Sequence, residues 1–306
     1  MPSTASLQYE RAPDVSASIL VAAFAGWPDA SEGATRAVKL ITEELSAQKF
    51  ATVDPEDFYN FTEERPAVRT AGGGERVLDW PSNEFFAWKN PEPEGYDVVF
   101  LAGTEPHLRW RTYTQMVHEV ALECSVELVV TLGALLDAVP HTRPVKVSRS
   151  ASSVDLGPGF QSVRYDPPTY EGPAGIMSVL LERMTRNGIP SVSFWGHAPH
   201  YVQASPNPNV TRAILQAVPE VLPVSVDTSS LDEPAEEFNN RVDEALADQD
   251  ELKTYLARLE SKWDEQTTES TPAGDQGALM NELEEFLRQQ QSEEDDNEDE
   301  GDAPGV

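Results

Sequence analysis

Residues 19–47 read ILVAAFAGWPDASEGATRAVKLITEELSA. The first seven positions are apolar with no alternation, and Gly26 lies just beyond them. An unbroken apolar run of this length is the pattern of a strand buried on both faces. Behind it Ala34, Val38, Ile41 and Leu45 recur three and four positions apart, which puts them on one face of a helix. Asp29 or Ser31 is placed to cap the first free N–H groups of that helix. Strand, turn and helix in this order form the unit of an α/β sheet.

The same alternation runs outward from this unit. KFATVD (49–54) reads as a strand. RPAVRTAGGGERVLDWP (65–81) reads as two short strands around a glycine turn, followed by EFFAWK (84–89). The glycine triplet precedes a strand and no GK[ST] follows it, so it is read as a hairpin turn and not as a phosphate loop. YDVVFLAG (96–103), VELVVTLGALL (126–136) and IPSVSFWGH (189–197) are further buried strands, and PVKVSRS (144–150) is a short exposed one. Helices are expected in 108–125, with Trp110, Tyr113, Val117 and Val120 or Ala121 on one face, in 172–188 and in 206–222. His118, mid-helix, is expected to be exposed or half-buried. The fold class that follows is α/β: a mostly parallel sheet flanked by helices.

After Asp227 the pattern becomes all-helical. Phe238, Val242 and Leu246, then Leu252, Leu256, Leu259 and Trp263, mark amphipathic helices. ALMNELEEFLRQQQ (278–291) is a last one, with Leu279, Leu283, Phe286 and Leu287 on one face, and the acidic run 292–306 reads as a disordered tail. The expected organisation is an arm over 1–18, an α/β core over 19–228, a helical extension over 229–291 and the tail over 292–306. The helices of the extension are expected to pack on the core or on one another, the sharper alternative being a docking arm for a partner.

The 306 residues carry a net charge of −31, and residues 231–306 hold 25 of the 53 acidic side chains but only 5 of the 22 basic ones. Such a charge argues against attraction to nucleic-acid phosphates or an anionic membrane, and suits a basic protein partner. One cysteine, Cys124, excludes an intrachain disulfide and is read as a buried, inert thiol. The polar start of the chain and the shortness of its apolar runs lead to the expectation of a cytoplasmic protein.

Open α/β sheets bind ligands beyond the carboxyl ends of their strands. Four such ends carry polar clusters: GWPD (26–29), GTEPHLRWR (103–111), GALLDAVPHTRP (133–144) and GHAPHY (196–201). The candidate rim residues are Asp29, Glu105, His107, Arg109, His141, Arg143, Tyr170, Glu171, His197 and His200. Arginine forks there could hold an anion or bridge local carboxylates. His197 and His200 lie three apart with no HExxH or cysteine pair, so no metal and no cofactor is expected. No GxSxG elbow is present, and no catalytic residue is assigned.

Six spaced strings, AFAGWPDASEGATRAV (23–38), DPEDFYNFTEERPAV (54–68), LAGTEPHLRWR (101–111), LGALLDAVPHTRPV (132–145), YEGPAGI (170–176) and APHYVQASPNPNVTRAIL (198–215), together resemble the proteasome-assembly-chaperone-2-like family of bacteria and archaea. The resemblance covers about 19–225. It implies a core of the nucleoside phosphorylase/hydrolase type, a homo-oligomer, and a chaperone-like role with proteasome subunits as partners. Two departures stand out. The end Pro304-Gly305-Val306 lacks the hydrophobic–tyrosine–any-residue ending with which archaeal relatives engage the proteasome, and Ala174 stands where relatives commonly have threonine. The function expected is a non-enzymatic adaptor that binds a protein partner. The alternative is a small-molecule enzyme or sensor in which Arg109 or Arg143 holds an anion and His107 or His141 exchanges a proton.

Overall fold

The computed structural model describes residues 7–153, 156, 158–160, 165 and 167–268. The sequence-predicted last helix and acidic tail lie outside the described residues, as do the first six residues of the amino-terminal arm. In chain order the strands are β1 (Leu7–Tyr9), β2 (Ser18–Ala25), β3 (Gln48–Val53), β4 (Ala67–Thr70), β5 (Arg76–Asp79), β6 (Asn83–Trp88), β7 (Asp97–Thr104), β8 (Val126–Asp137), β9 (Val147–Ala151) and β10 (Ser191–Pro199). The helices are α1 (Gly33–Glu44), α2 (Trp110–Glu123), α3 (Ile176–Arg186), α4 (Pro208–Ala217), α5 (Asp232–Leu246) and α6 (Asp250–Thr268).

Eight strands form one sheet in the order β1-β3-β6-β7-β2-β8-β10-β9, and β4 and β5 form a separate hairpin. The central strands β7, β2, β8 and β10 are mutually parallel. The flanking pairs β1–β3, β3–β6, β6–β7 and β10–β9 are antiparallel, so the sheet is mixed, with five of its eight strands pointing one way. The physical reason lies in the connections. A parallel pair needs a crossover, which α1, α2 and α3 supply. The chain from β3 to β7 contains no α-helix, so it returns by antiparallel steps.

Helices cover both faces. Ala34, Ala37, Val38 and Ile41 of α1 join Val210, Ile214 and Leu215 of α4 over Ile19, Val21, Val98, Val130 and Phe194. On the other face Tyr113, Val117 and Val120 of α2 and Met177, Leu180 and Met184 of α3 cover Leu20, Phe24, Leu101 and Val129. Leu20 and Val21 are neighbours in β2 and face opposite clusters, which is why that strand reads as a continuous apolar run.

Two expectations are corrected or resolved here. His118 is buried, at 7% exposure, because its side of α2 faces α3; its ring nitrogens find no hydrogen-bond partner in the structure. The helical extension packs in cis. Phe238, Val242 and Leu246 of α5 seat on Val202, just after β10, with Tyr201, Leu252 and Leu256 around them.

Candidate functional site

The carboxyl ends of β2, β7, β8 and β10 open on one rim, and the structure divides it into two halves. The first half is built by the turns after β2 and β7. Asp29 is nearly buried at 6% exposure. Its Oδ1 accepts from the Ala34 N–H at 2.7 Å, and its Oδ2 from the Thr35 N–H at 3.0 Å and from Thr35 Oγ1 at 2.5 Å. Burial pushes its carboxyl pKa up, and these hydrogen bonds oppose the shift. Asp29 therefore caps α1. Glu105 does the same for α3: its Oε1 accepts from the Ile176 N–H at 2.8 Å. His107 Nδ1 accepts from the Asn60 N–H at 3.1 Å, with its ring edge-on to Tyr59. Arg109, in the left-handed conformation before α2, donates to Asp57 at 2.8 Å. Tyr170 is 44% exposed and donates to the Pro173 carbonyl at 3.2 Å, and Glu171 beside it is exposed. Trp27, 64% exposed, lies beside Gly175 and Glu105, where Gly175 leaves room for its ring.

The second half, at β8 and β10, is covered by the carboxyl-terminal helices. Buried His141 bonds the Tyr201 hydroxyl through Nδ1 at 2.7 Å and Asp243 of α5 through Nε2 at 3.0 Å. The Arg143 fork meets both carboxylate oxygens of Asp264 of α6, at 2.8 and 2.9 Å, and Glu260 at 3.3 Å. His200 Nδ1 bonds the Asp137 carbonyl at 3.1 Å, and its Nε2 lies 3.4 Å from the Tyr255 hydroxyl of α6. His197 Nδ1 lies 2.6 Å from Asp137 Oδ2 and its Nε2 3.0 Å from Ser148 Oγ. Burial works to raise the Asp137 pKa; the bond to His197 and its charge outweigh burial, and the net shift is downward.

These geometries determine what the residues can do. Arg109 and Arg143 each spend their charge on carboxylates of this chain. The cavity between His141, His197, Asn207 and Phe238 measures about 10 Å³, room for roughly one water molecule. Among the described residues no group of three or more histidine, cysteine or acidic side chains is placed to hold a metal ion. Cys124 is buried, and burial pushes its thiol up to about 12, away from reactivity at neutral pH. Among the described residues no helix is long and apolar enough to cross a membrane.

Sequence reasoning brought the right segments to one rim but missed the residues that complete the contacts: Asp243, Glu260 and Asp264 from the extension, Ser148 from the edge strand, and exposed Trp27. The three acids carried no signal, since they lie among many acids on helices whose apolar spacing alone was readable. Ser148 had a weak one, the alternation in PVKVSRS, which sets Ser148 and Ser150 on one face of β9.

The sequence model of the PAC2 family matches residues 23–246. The chain belongs to the PAC2 family. That match runs through β10 and α4 and takes in α5, the helix that closes the second half of the rim. A PAC2 family protein from Streptomyces avermitilis is 39% identical, with 78% of this chain and 98% of that one covered and a TM-score of 0.70. A proteasome-assembly chaperone homologue from Mycobacterium tuberculosis is 37% identical, with 78% and 99% covered and a TM-score of 0.68. An archaeal proteasome activator from Pyrococcus furiosus, 20% identical with 78% and 98% covered and a TM-score of 0.63, shares the PAC2 fold. A search of curated proteins returns no match.

Proposed function

We propose that this PAC2 protein is an assembly-chaperone-like adaptor that binds a protein partner of the proteasome type through the open half of its rim, and that it works as a homo-oligomer in the cytoplasm. The observation that carries the reading is the asymmetry of the rim. The extension covers the β8–β10 half in cis, while the β2–β7 half presents Trp27 and Tyr170 to solvent, backed by helix-capping carboxylates. Exposed aromatics on a rigid frame are the residue type that dominates protein interfaces. In this reading Asp29, Glu105, His107 and Arg109 are framework, and Tyr170 and Glu171 are contacts. His141, Arg143, His197 and His200 fasten the extension and the strand ends. Binding of this kind needs no reaction and no cofactor. The relatives support the partner class: one is a proteasome-assembly chaperone homologue and another a proteasome activator.

The test is biolayer interferometry of the full chain against purified proteasome α and β subunits of Mycobacterium tuberculosis, the source of one relative, with native mass determination alongside. Trp27→Ala and Tyr170→Ala together should weaken binding at least tenfold, about 1.4 kcal/mol. Unchanged binding by the double variant removes the rim from the reading, and no binding by the wild type removes the partner class. The phosphorylase-like alternative has less to stand on, because both arginines it needs are already paired with carboxylates.

A further inference from the structure

Asp137, His197 and Ser148 form an unbroken hydrogen-bond chain across three strands. Asp137 ends β8, His197 lies near the end of β10, and Ser148 sits on the last strand of the sheet, β9. The carboxylate meets Nδ1 at 2.6 Å, and Nε2 meets the serine Oγ at 3.0 Å. A carboxylate can only accept, so Nδ1 carries a proton toward Asp137. In the neutral imidazole, the state the reaction uses, Nε2 then accepts from the serine O–H. The side chains of His197 and Asp137 are 4% and 14% exposed, which dries the pair, while Ser148 is half-buried at the edge. Asp137 is further held by the Ala138 N–H at 2.7 Å.

The edge also offers a backbone donor on the residue next to the serine. In an antiparallel ladder, opposed residues alternate between bonded and unbonded pairs. The backbone N–H of His197 donates to the Lys146 carbonyl and that of Ser152 to the Ser191 carbonyl, which makes Ser148, opposite Trp195, a bonded position. The N–H of Arg149, the residue after the serine, therefore points away from β10. Since β9 ends the sheet, that N–H faces the free edge. Nucleophile, base, orienting acid and an adjacent N–H with no partner among the described residues are the parts of an acyl-transfer site, which is recognised by geometry and not by sequence order.

We propose that Asp137, His197 and Ser148 form an acyl-transfer triad that hydrolyses small esters. Ser148 Oγ forms a bond to the ester carbonyl carbon as its proton passes to His197 Nε2, and Arg149 N–H binds the oxyanion. The carbon–alkoxy bond then breaks, and the proton on Nε2 goes to the departing alcohol, leaving an acyl-serine. Water gives its proton to Nε2, attacks the acyl carbon and releases the acid, and Ser148 recovers its proton. The activity is separate from partner binding on the β2–β7 half and does not rest on it. It also differs from the phosphorylase-like alternative, which used the arginines and His107 or His141.

The test uses the full chain with a fluorophosphonate probe and with p-nitrophenyl acetate. The expected result is one phosphonyl group per chain, mapped by peptide mass to Ser148. Ester hydrolysis should fall at least 100-fold in Ser148→Ala and persist in Ser150→Ala, the same-face neighbour on β9. Absence of label on wild-type Ser148, or equal hydrolysis by Ser148→Ala, overturns the proposal and leaves the chain of hydrogen bonds as a structural tie between β8, β9 and β10. The wild-type labelling needs no variant, so a folding defect in Ser148→Ala cannot hide the answer.

Discussion

His118 shows how a single side chain records its surroundings. It sits on the α3-facing side of α2 with both ring nitrogens unpartnered, and Arg183 of α3 is close enough to oppose its protonation. Burial lowers its pKa first, Arg183 lowers it further, and Glu119 opposes them. The sign of the linkage follows. The unfolded chain binds this proton more readily than the folded one, so the contribution to stability is full above the ordinary histidine pKa of about 6.5 and is lost as pH falls through it. His118→Leu should keep the α2–α3 contact and flatten the loss of thermal midpoint between pH 7.5 and 5.5. Thermal unfolding of both proteins across that range reads it, and identical pH profiles would show that His118 does not titrate on unfolding. Asp29 and Glu105 make the converse point: both stood among the rim candidates, Asp29 also as an expected cap, and both accept from the first N–H groups of a helix, because a helix leaves those groups unsatisfied wherever it begins.

At the scale of the element, the α5–α6 extension is the part whose placement decides the site. Its ion pairs with Arg143 are exposed at the rim, where screening leaves such pairs little net stabilisation. The apolar seat carries the docking, with Phe238 at 1% exposure against Val202 and Val242. Phe238→Ala should cost about 3–5 kcal/mol of local stability. Because that loss belongs to the extension, hydrogen exchange should accelerate in α5 and α6 while the amides of β2 and β8 remain protected. Uniform acceleration over the whole chain would mean that extension and sheet unfold as one unit.

At the scale of the molecule, a net charge of −31 surrounds a rim whose open half is aromatic. Long-range charge acts on the rate of encounter, and packed aromatics act on the rate of escape. Raising salt from 50 to 300 mM should therefore slow association with a basic partner several-fold while dissociation changes little, whereas Trp27→Ala should speed dissociation. Stopped-flow or interferometry traces separate the two, and a salt-independent association rate would remove charge steering from the account.

Strand β2 and helix α1 were legible in residues 19–47 because burial on both faces and burial on one face leave different periods in a sequence. The same physics exposed β7, β8, β10 and the apolar faces of α5 and α6. Convergence of the strand-end turns on one rim followed from the parallel topology. The antiparallel flanks were not legible, since a strand's direction depends on whether a helix crosses back, and residues 54–96 carry no helical period. Nor could sequence find which acid answers which base: Arg143 meets Asp264 across 121 positions, and His197 joins Asp137 to Ser148 from three strands. Local pattern determined the elements and the charge of this protein. Tertiary structure alone decided that half the rim is closed by the chain's own extension, because hydrogen bonds and ion pairs between distant residues leave no period to read.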